Sequence, residues 1–239
     1  MVVRRQWRGH VDERGGLVLP SEVASRYGLK TGAEVCVDEE RDRLLLRPPL
    51  THLRKVYVEV TNGCNLDCRT CIRNIWEEPI GRMNEATFHQ IIEGLQVFSL
   101  PPTIFFGGFG EPLSHPDIVE MVVRPKALGC SVELITNGTM LTPTMSHRLI
   151  EADLDVLWVS IDGATPESYA DVRLGATLPE VLFNVKTFRD LRMEAQLLTP
   201  EIGFVFVAMR RNIADLAAVL RLGYERDVTC FLITNVLPY

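Results

Sequence analysis

The sequence predicts an α/β fold: a curved parallel sheet of six β/α units, preceded by a small, mainly-β unit. Three observations carry this expectation. After Pro49, apolar runs of strand length alternate with helical segments six times, and such repetition argues a parallel sheet with helices outside it. The helical segments repeat apolar residues at the 3.6 period, as Phe88, Ile91, Ile92 and Leu95 do. The stretch Arg47-Pro48-Pro49-Leu50 separates this repeat from what precedes it. Six units make a partial (β/α)6 barrel, TIM-like but lacking two units, over residues 50–239, with residues 1–49 as the smaller domain.

Taken in order, Gly16-Leu17-Val18-Leu19-Pro20 reads as a strand and Ser21 to Leu29 as a short helix ended by Gly28. Val35-Cys36-Val37-Asp38 and Arg43 to Arg47 follow as two strands around a charged turn. In the larger domain, strands are expected at 56–61, 103–107, 131–135, 156–161, 202–208 and 229–236. The fourth helix presents Leu178, Val181, Leu182, Val185 and Phe188 on its apolar face. The fifth is expected to run from Asn212 as N-cap to Gly223 as stop, with Ile213, Leu216, Ala217 and Leu220 facing inward. On the fourth strand, alternation sets Val156, Trp158, Ser160 and Asp162 on one face and Leu157, Val159 and Ile161 on the other. The second set is uniformly aliphatic and should pack on helices, which leaves Ser160 and Asp162 in the lumen. The apolar run Cys230 to Leu237 is followed closely by Tyr239, so cover for its open edge is expected from a partner or a further segment.

Composition narrows the function classes. With 46% hydrophobic and 23% charged residues in 239, the make-up is that of an ordinary water-soluble globular protein. Arg4, Arg5 and Arg8 have no apolar core behind them, so no signal peptide is expected. No stretch is long and apolar enough for a bilayer, and a cytoplasmic, reducing location is expected. The net charge of −6 is uneven: residues 1–50 carry nine Lys and Arg against eight Asp and Glu, residues 51–239 sixteen against twenty-three. Neither part is a basic nucleic-acid surface.

The chemistry lies behind the strands. Cys64, Cys68 and Cys71 follow the first as C-x3-C-x2-C, Gly108-Phe109-Gly110-Glu111-Pro112 follows the second, Thr136-Asn137-Gly138 the third, and Ser160-Ile161-Asp162-Gly163 ends the fourth. Strand C-termini of a parallel β/α fold open on one face, so these four runs are expected to line one mouth. Three thiolates around one small volume suit a four-iron cluster whose fourth iron has no protein ligand and is open to a substrate. A structural zinc site wants four Cys or His ligands, and Cys36, Cys130 and Cys230 are scattered singly, which makes zinc the lesser reading. A disulfide framework fits a chain with six cysteines in 239 residues and no sign of export less well still. The scattered three read as small buried apolar residues, and the five histidines lack metal-ligand spacing.

These four motifs, in this order, resemble the signature of the radical S-adenosylmethionine (SAM) superfamily over about residues 55 to 239. The likeness is greatest to its peptide- and cofactor-maturing branch, the SPASM-type relatives. The resemblance implies a 4Fe-4S cluster on Cys64, Cys68 and Cys71 with SAM chelating the open iron. It further implies reductive cleavage of SAM to a 5′-deoxyadenosyl radical, and an electron donor such as ferredoxin or flavodoxin. Gly108, Gly110 and Glu111 would meet the methionine ammonium, the glycines by close backbone approach and Glu111 by a charge-assisted hydrogen bond. Thr136 and Asn137 are implied near the ribose, or else form a structural Asn-Gly turn. Ser160 is implied at the methionine or ribose. Asp162 stands there too or holds the following turn, and Arg173 reaches the SAM carboxylate or the surface. Phe109 departs from the family pattern, where a glycine is usual. Thr70 replaces the usual aromatic before the last cysteine, which leaves Ile72 as a candidate adenine contact. The run Cys71-Ile72-Arg73-Asn74-Ile75-Trp76 resembles maturases for tungsten-containing oxidoreductases.

The first domain resembles the swapped-hairpin domain of AbrB-type transition-state regulators, through its strand, Leu-Pro, short helix and Gly28-Leu29-Lys30-Thr31-Gly32 before a hairpin. That family exchanges strands between two chains, which implies a homodimer through residues 1–48. Two functions follow. One is a radical SAM enzyme that matures a peptide, a protein or a bound cofactor. The other is a DNA-binding iron–sulfur regulator, which the near-neutral charge of the first fifty residues disfavours.

Overall fold

The computed structural model describes residues 7–29, 31–32, 35–41, 43–47, 53–75, 77–98 and 100–235. Lys30, the boundary residues Pro48, Pro49 and Leu50, Trp76, and Val236 to Tyr239 lie outside the described residues. Two antiparallel hairpins come first. β1 (His10–Val11) pairs with β2 (Leu17–Val18), and β3 (Cys36–Glu40) with β4 (Arg43–Arg47), with α1 (Ser21–Arg26) between them in sequence. The sequence reading has no β1, because its hairpin is written by a side chain. Asp12 Oδ1 accepts from Arg14 N at 2.9 Å and from Gly16 N at 2.7 Å, closing the turn. Past α1, Gly28 takes φ +67°, the left-handed turn a glycine stop implies.

The central sheet holds β5 (Lys55–Val58), β6 (Thr103–Phe106), β7 (Val132–Thr136), β8 (Val156–Ser160), β9 (Glu201–Ala208) and β10 (Cys230–Asn235), all parallel and each beside its successor. It curls into a half-barrel. The helices between are α2 (Glu85–Leu95), α3 (Ile118–Ala127), α4 (Pro143–Glu151), α5 (Pro166–Val172), α6 (Leu178–Glu194) and α7 (Leu216–Tyr224). Alternation along each strand explains the core. Ile104, Phe106, Val132, Leu134, Leu157, Val159, Phe204 and Phe206 are each at most 1% exposed. Burying a side chain of that kind contributes about 1.5–3 kcal/mol. The intervening positions, among them Tyr57, Phe105, Ile135 and Ser160, face the concave side and line its cavity. Deeper in the barrel, Lys55 Nζ and Trp158 Nε1 donate to the two oxygens of Glu133, each at 2.8 Å.

The segment after β9 corrects the sequence reading. Ile213–Asp215 form a 3-10 turn before α7, and Ile213, Ala217 and Leu220 are exposed while Val219 and Gly223 are buried. Leu216, also expected inward, is half-buried. Gly223 is therefore no stop. A Cβ there would lie 2.5 Å from Phe231 Cζ and 3.3 Å from Phe204 Cδ2, so the glycine lets α7 sit close on β9 and β10. Asn212 holds the cap position, but its side chain turns to the sheet, accepting from Met209 N at 2.8 Å and donating to Val207 O at 3.0 Å.

At the opposite rim, the turns leading out of α3, α4, α6 and α7 each contain one left-handed residue: Gly129 (φ +79°), Asp153 (+58°), Gln196 (+57°) and Asp227 (+59°). They end their helices in the αL manner, but three of the four are not glycine.

Candidate functional site

The cysteine loop leaves β5 and is tied down at several points. Thr61 pairs with Arg82, and Thr61 Oγ1 donates to Gly81 O at 2.8 Å. Asp67 N donates to Leu174 O (3.2 Å) and Arg69 N to Val172 O (3.0 Å), stitching the loop to the end of α5. Inside it, Arg73 Nη2 donates to Leu66 O at 2.6 Å and Asn74 Nδ2 to Cys68 O at 2.9 Å. Sequence reasoning gave Arg73 and Asn74 no such bracing role; their one signal is their place just after the last cysteine.

The second motif packs against this loop. A Cβ on Gly110 would lie 1.9 Å from Thr61 O, so only glycine lets these backbones meet. Glu111 N donates to Gly63 O at 2.8 Å, holding the two loops together. The Glu111 side chain is 2% exposed, and its Oε1 accepts from Thr136 Oγ1 (2.7 Å) and Leu113 N (3.1 Å), its Oε2 from Asn137 N (2.8 Å). Burial pushes the carboxyl pKa up, against the three donors that pull it down. Asn137 Nδ2 donates to Asn65 Oδ1 at 2.9 Å and stands 3.8 Å from Cys64 Sγ. Gly108, with φ +147°, faces Glu59, whose Oε1 accepts from Phe109 N at 2.5 Å.

One cavity of about 540 Å³ collects these groups, a volume ordinary for a cofactor pocket. Its wall includes Cys64, Cys68, Cys71, Gly108, Gly110, Glu111, Thr136, Asn137, Ser160 and Arg173, together with Thr70, Ile72 and Phe109. Asp162 is the exception among the residues singled out: it is fully buried and does not reach that wall. Its Oδ1 accepts from Val207 N at 2.7 Å on β9 and its Oδ2 from Arg173 Nε at 2.6 Å, neither of them the local turn contact the sequence suggested. Burial opposes the Arg173 charge, but the charge and hydrogen bond of Asp162 together with the Cys68 and Tyr169 side chains outweigh it and raise its pKa.

The donor set fits a 4Fe-4S cluster. All three cysteines are free thiols, and burial pushes those of Cys64 and Cys68 up, so ionising them calls for compensating charge or donors. Among the described residues no three His, Cys, Asp or Glu side chains close on a single ion. Cys64, Cys68 and Cys71 all line one cavity, and a cluster takes such thiolates on separate irons, with its fourth iron open. Of the three scattered cysteines only Cys130 is buried as expected; Cys36 is exposed and Cys230 half-buried with its Sγ 3.9 Å from Ile202 O, and none is on the cavity wall.

Known proteins are similar to this chain. The chain is 33% identical over 187 residues to the tungsten-containing aldehyde ferredoxin oxidoreductase cofactor-modifying protein of Pyrococcus furiosus, covering 78% of this chain and 52% of that one. It is 35% identical over 183 residues to the mycofactocin maturase MftC of Mycobacterium tuberculosis, covering 75% and 44%. The chain thus spans about half the length of the curated relatives it matches. Streptococcus suis SuiB bound to S-adenosylmethionine shares the fold, with a TM-score of 0.64 at 13% identity over 79% of this chain and 42% of that one. No described helix is long and apolar enough to cross a membrane. The model of the Radical SAM superfamily matches residues 58–222, from the end of β5 into α7. The chain belongs to the radical SAM superfamily, enzymes that use a 4Fe-4S cluster and SAM.

Proposed function

We propose that this enzyme cleaves SAM reductively, at a 4Fe-4S cluster held by Cys64, Cys68 and Cys71, in order to mature a peptide or a protein-bound cofactor. The observation that carries the reading is the convergence of those thiols with Gly110, Glu111, Asn137, Ser160 and Arg173 on one cavity. When bound, the cluster and SAM supply one-electron cleavage of the sulfonium carbon–sulfur bond, with methionine and a 5′-deoxyadenosyl radical as the products.

The chain's own residues bind and orient. Gly108 and Gly110 clear side-chain bulk from the wall. Glu111 Oε2 accepts one bond where a carboxylate oxygen has room for two, which suits the methionine ammonium. Thr136, Asn137 and Ser160 offer polar atoms for the ribose and methionine, and Ile72 an apolar surface for adenine. Leu66, Ile135 and Val205 on the same wall keep water from the reacting atoms. Maturation is supported by what the relatives are called, a cofactor-modifying protein and a maturase, and by SuiB having been solved with its precursor peptide SuiA. The first of these favours the cofactor of a tungsten oxidoreductase as the target. A low-potential ferredoxin or flavodoxin would deliver the electron.

For residues 1–48 the reading is pairing of two chains by hairpin exchange. Val11, Leu17, Val37 and Leu44 stand 55–69% exposed on short hairpins, a poor self-sufficient core. Anaerobic reconstitution followed by chemical reduction in the presence of SAM tests the chemistry. It should yield 5′-deoxyadenosine and methionine; a fully iron-loaded, reduced protein that leaves SAM intact would rule it out.

A further inference from the structure

We infer that Arg173 acts on the cluster ligand Cys68 as a charged donor, and that Asp162 is the positioning residue that holds it there. Arg173 Nε is fixed on Asp162 Oδ2 at 2.6 Å, while its Nη1 stands 3.9 Å from Cys68 Sγ. Asp162 cannot drift. It is fully buried, its Oδ1 accepts from Val207 N at 2.7 Å, and its carbonyl accepts from Asn212 Nδ2 at 3.0 Å. The cysteine is registered against the arginine independently, by the backbone bonds Asp67 N to Leu174 O and Arg69 N to Val172 O that flank both residues.

The three ligands are therefore held unequally. Cys68 meets a guanidinium. Cys64 Sγ takes its hydrogen bonds from neutral donors, Leu66 N at 3.5 Å and Asn137 Nδ2 at 3.8 Å, while the nearby Arg73 guanidinium donates to the Cys64 carbonyl at 3.4 Å and reaches the sulfur only through space. Cys71 Sγ lies 4.0 Å from Phe109 O, an acceptor that offers a thiolate nothing. Cluster potentials respond to net charge and to hydrogen bonds on the sulfurs. A cation beside one thiolate favours the more negative, reduced cluster and so raises its midpoint potential.

This inference rests on the cluster proposed above, and the test separates the two. The full chain is reconstituted anaerobically without SAM and titrated with a graded reductant, the reduced cluster being followed by electron paramagnetic resonance. Arg173→Gln is expected to shift the midpoint to a more negative value, and Asn137→Ala to shift it the same way by less. A wild-type midpoint in Arg173→Gln at full iron content overturns the inference. If that variant melts as wild type in the apo form but holds no iron, Cys68 has lost its support and the inference stands. If it does not fold, Arg173→Lys keeps an ion pair for Asp162 but lacks the second arm. Because the charge stays and only the donor to Cys68 is lost, it should show a negative shift smaller than loss of the charge would give, and an unmoved midpoint there overturns the inference. A wild-type chain that takes up no cluster would instead defeat the proposed function.

Discussion

Glu111 shows how one buried side chain links the site to pH. Its carboxyl pKa is raised above 4.5 by burial, so the folded state holds this proton more tightly than the unfolded chain does. The stability it contributes is complete below about 4.5 and is lost as pH rises through the raised folded value. The melting temperature of the apo-protein should carry that loss, and Glu111→Ala should flatten it in circular dichroism melts; parallel curves would dismiss the burial argument. The thiols make a second test. Cys64→Ala, Cys68→Ala and Cys71→Ala should each abolish the cluster, while Cys130→Ala and Cys230→Ala keep full iron content, because neither reaches the cavity; equal loss from both sets would contradict the ligand assignment. Most of this site was legible because its residues sit directly behind apolar strands, where a parallel sheet must bring them together. Asp162 was not, since its partner Val207 lies 45 residues away on the neighbouring strand, and no local pattern reports a contact of that range.

At the scale of elements, hydrophobic spacing located the six barrel strands to within three residues at either end, but a short helix rich in Ala and Leu can be phased more than one way. The phase of α7 is set by which position tolerates contact with Phe231, and that position is Gly223. Substituting Gly223→Ala tests the account through two opposed terms. Removing a helix-interior glycine gains about 1 kcal/mol. Overpacking costs typically about 1–3 kcal/mol, and Phe231 has little room to yield because it stands edge-on to Phe204 at 6.0 Å. A net loss of about 1 kcal/mol in urea unfolding is expected, and a net gain would show that α7 is free to shift.

For the molecule as a whole, the order of strands followed from the chain alone, because each β/α unit lands beside the last. The N-terminal unit was less legible: β1 is two residues long and depends on Asp12 rather than on any apolar run. If hairpin exchange joins two chains, deleting residues 1–48 should convert a dimer into a monomer in sedimentation velocity. A dimer that survives the deletion would move the interface elsewhere. Tight, salt-sensitive DNA binding by the intact chain would favour the regulatory reading instead.

The far rim of the barrel, where α3, α4, α6 and α7 turn back into strands, has a practical meaning for handling an oxygen-sensitive enzyme. Strain lodged there is remote from every group that touches a cofactor, so it is a place where robustness can be added without disturbing the chemistry. Gln196 is the best position, being exposed at φ +57°, whereas Asp153 and Asp227 form ion pairs with Lys126 and Arg192. A left-handed non-glycine residue costs roughly 1–2 kcal/mol. Glycine gives back about 0.5–1 kcal/mol of that through its freedom in the unfolded chain. Gln196→Gly should therefore leave a surplus of about 0.5–1 kcal/mol, read as a higher melting temperature with iron content and SAM turnover unchanged.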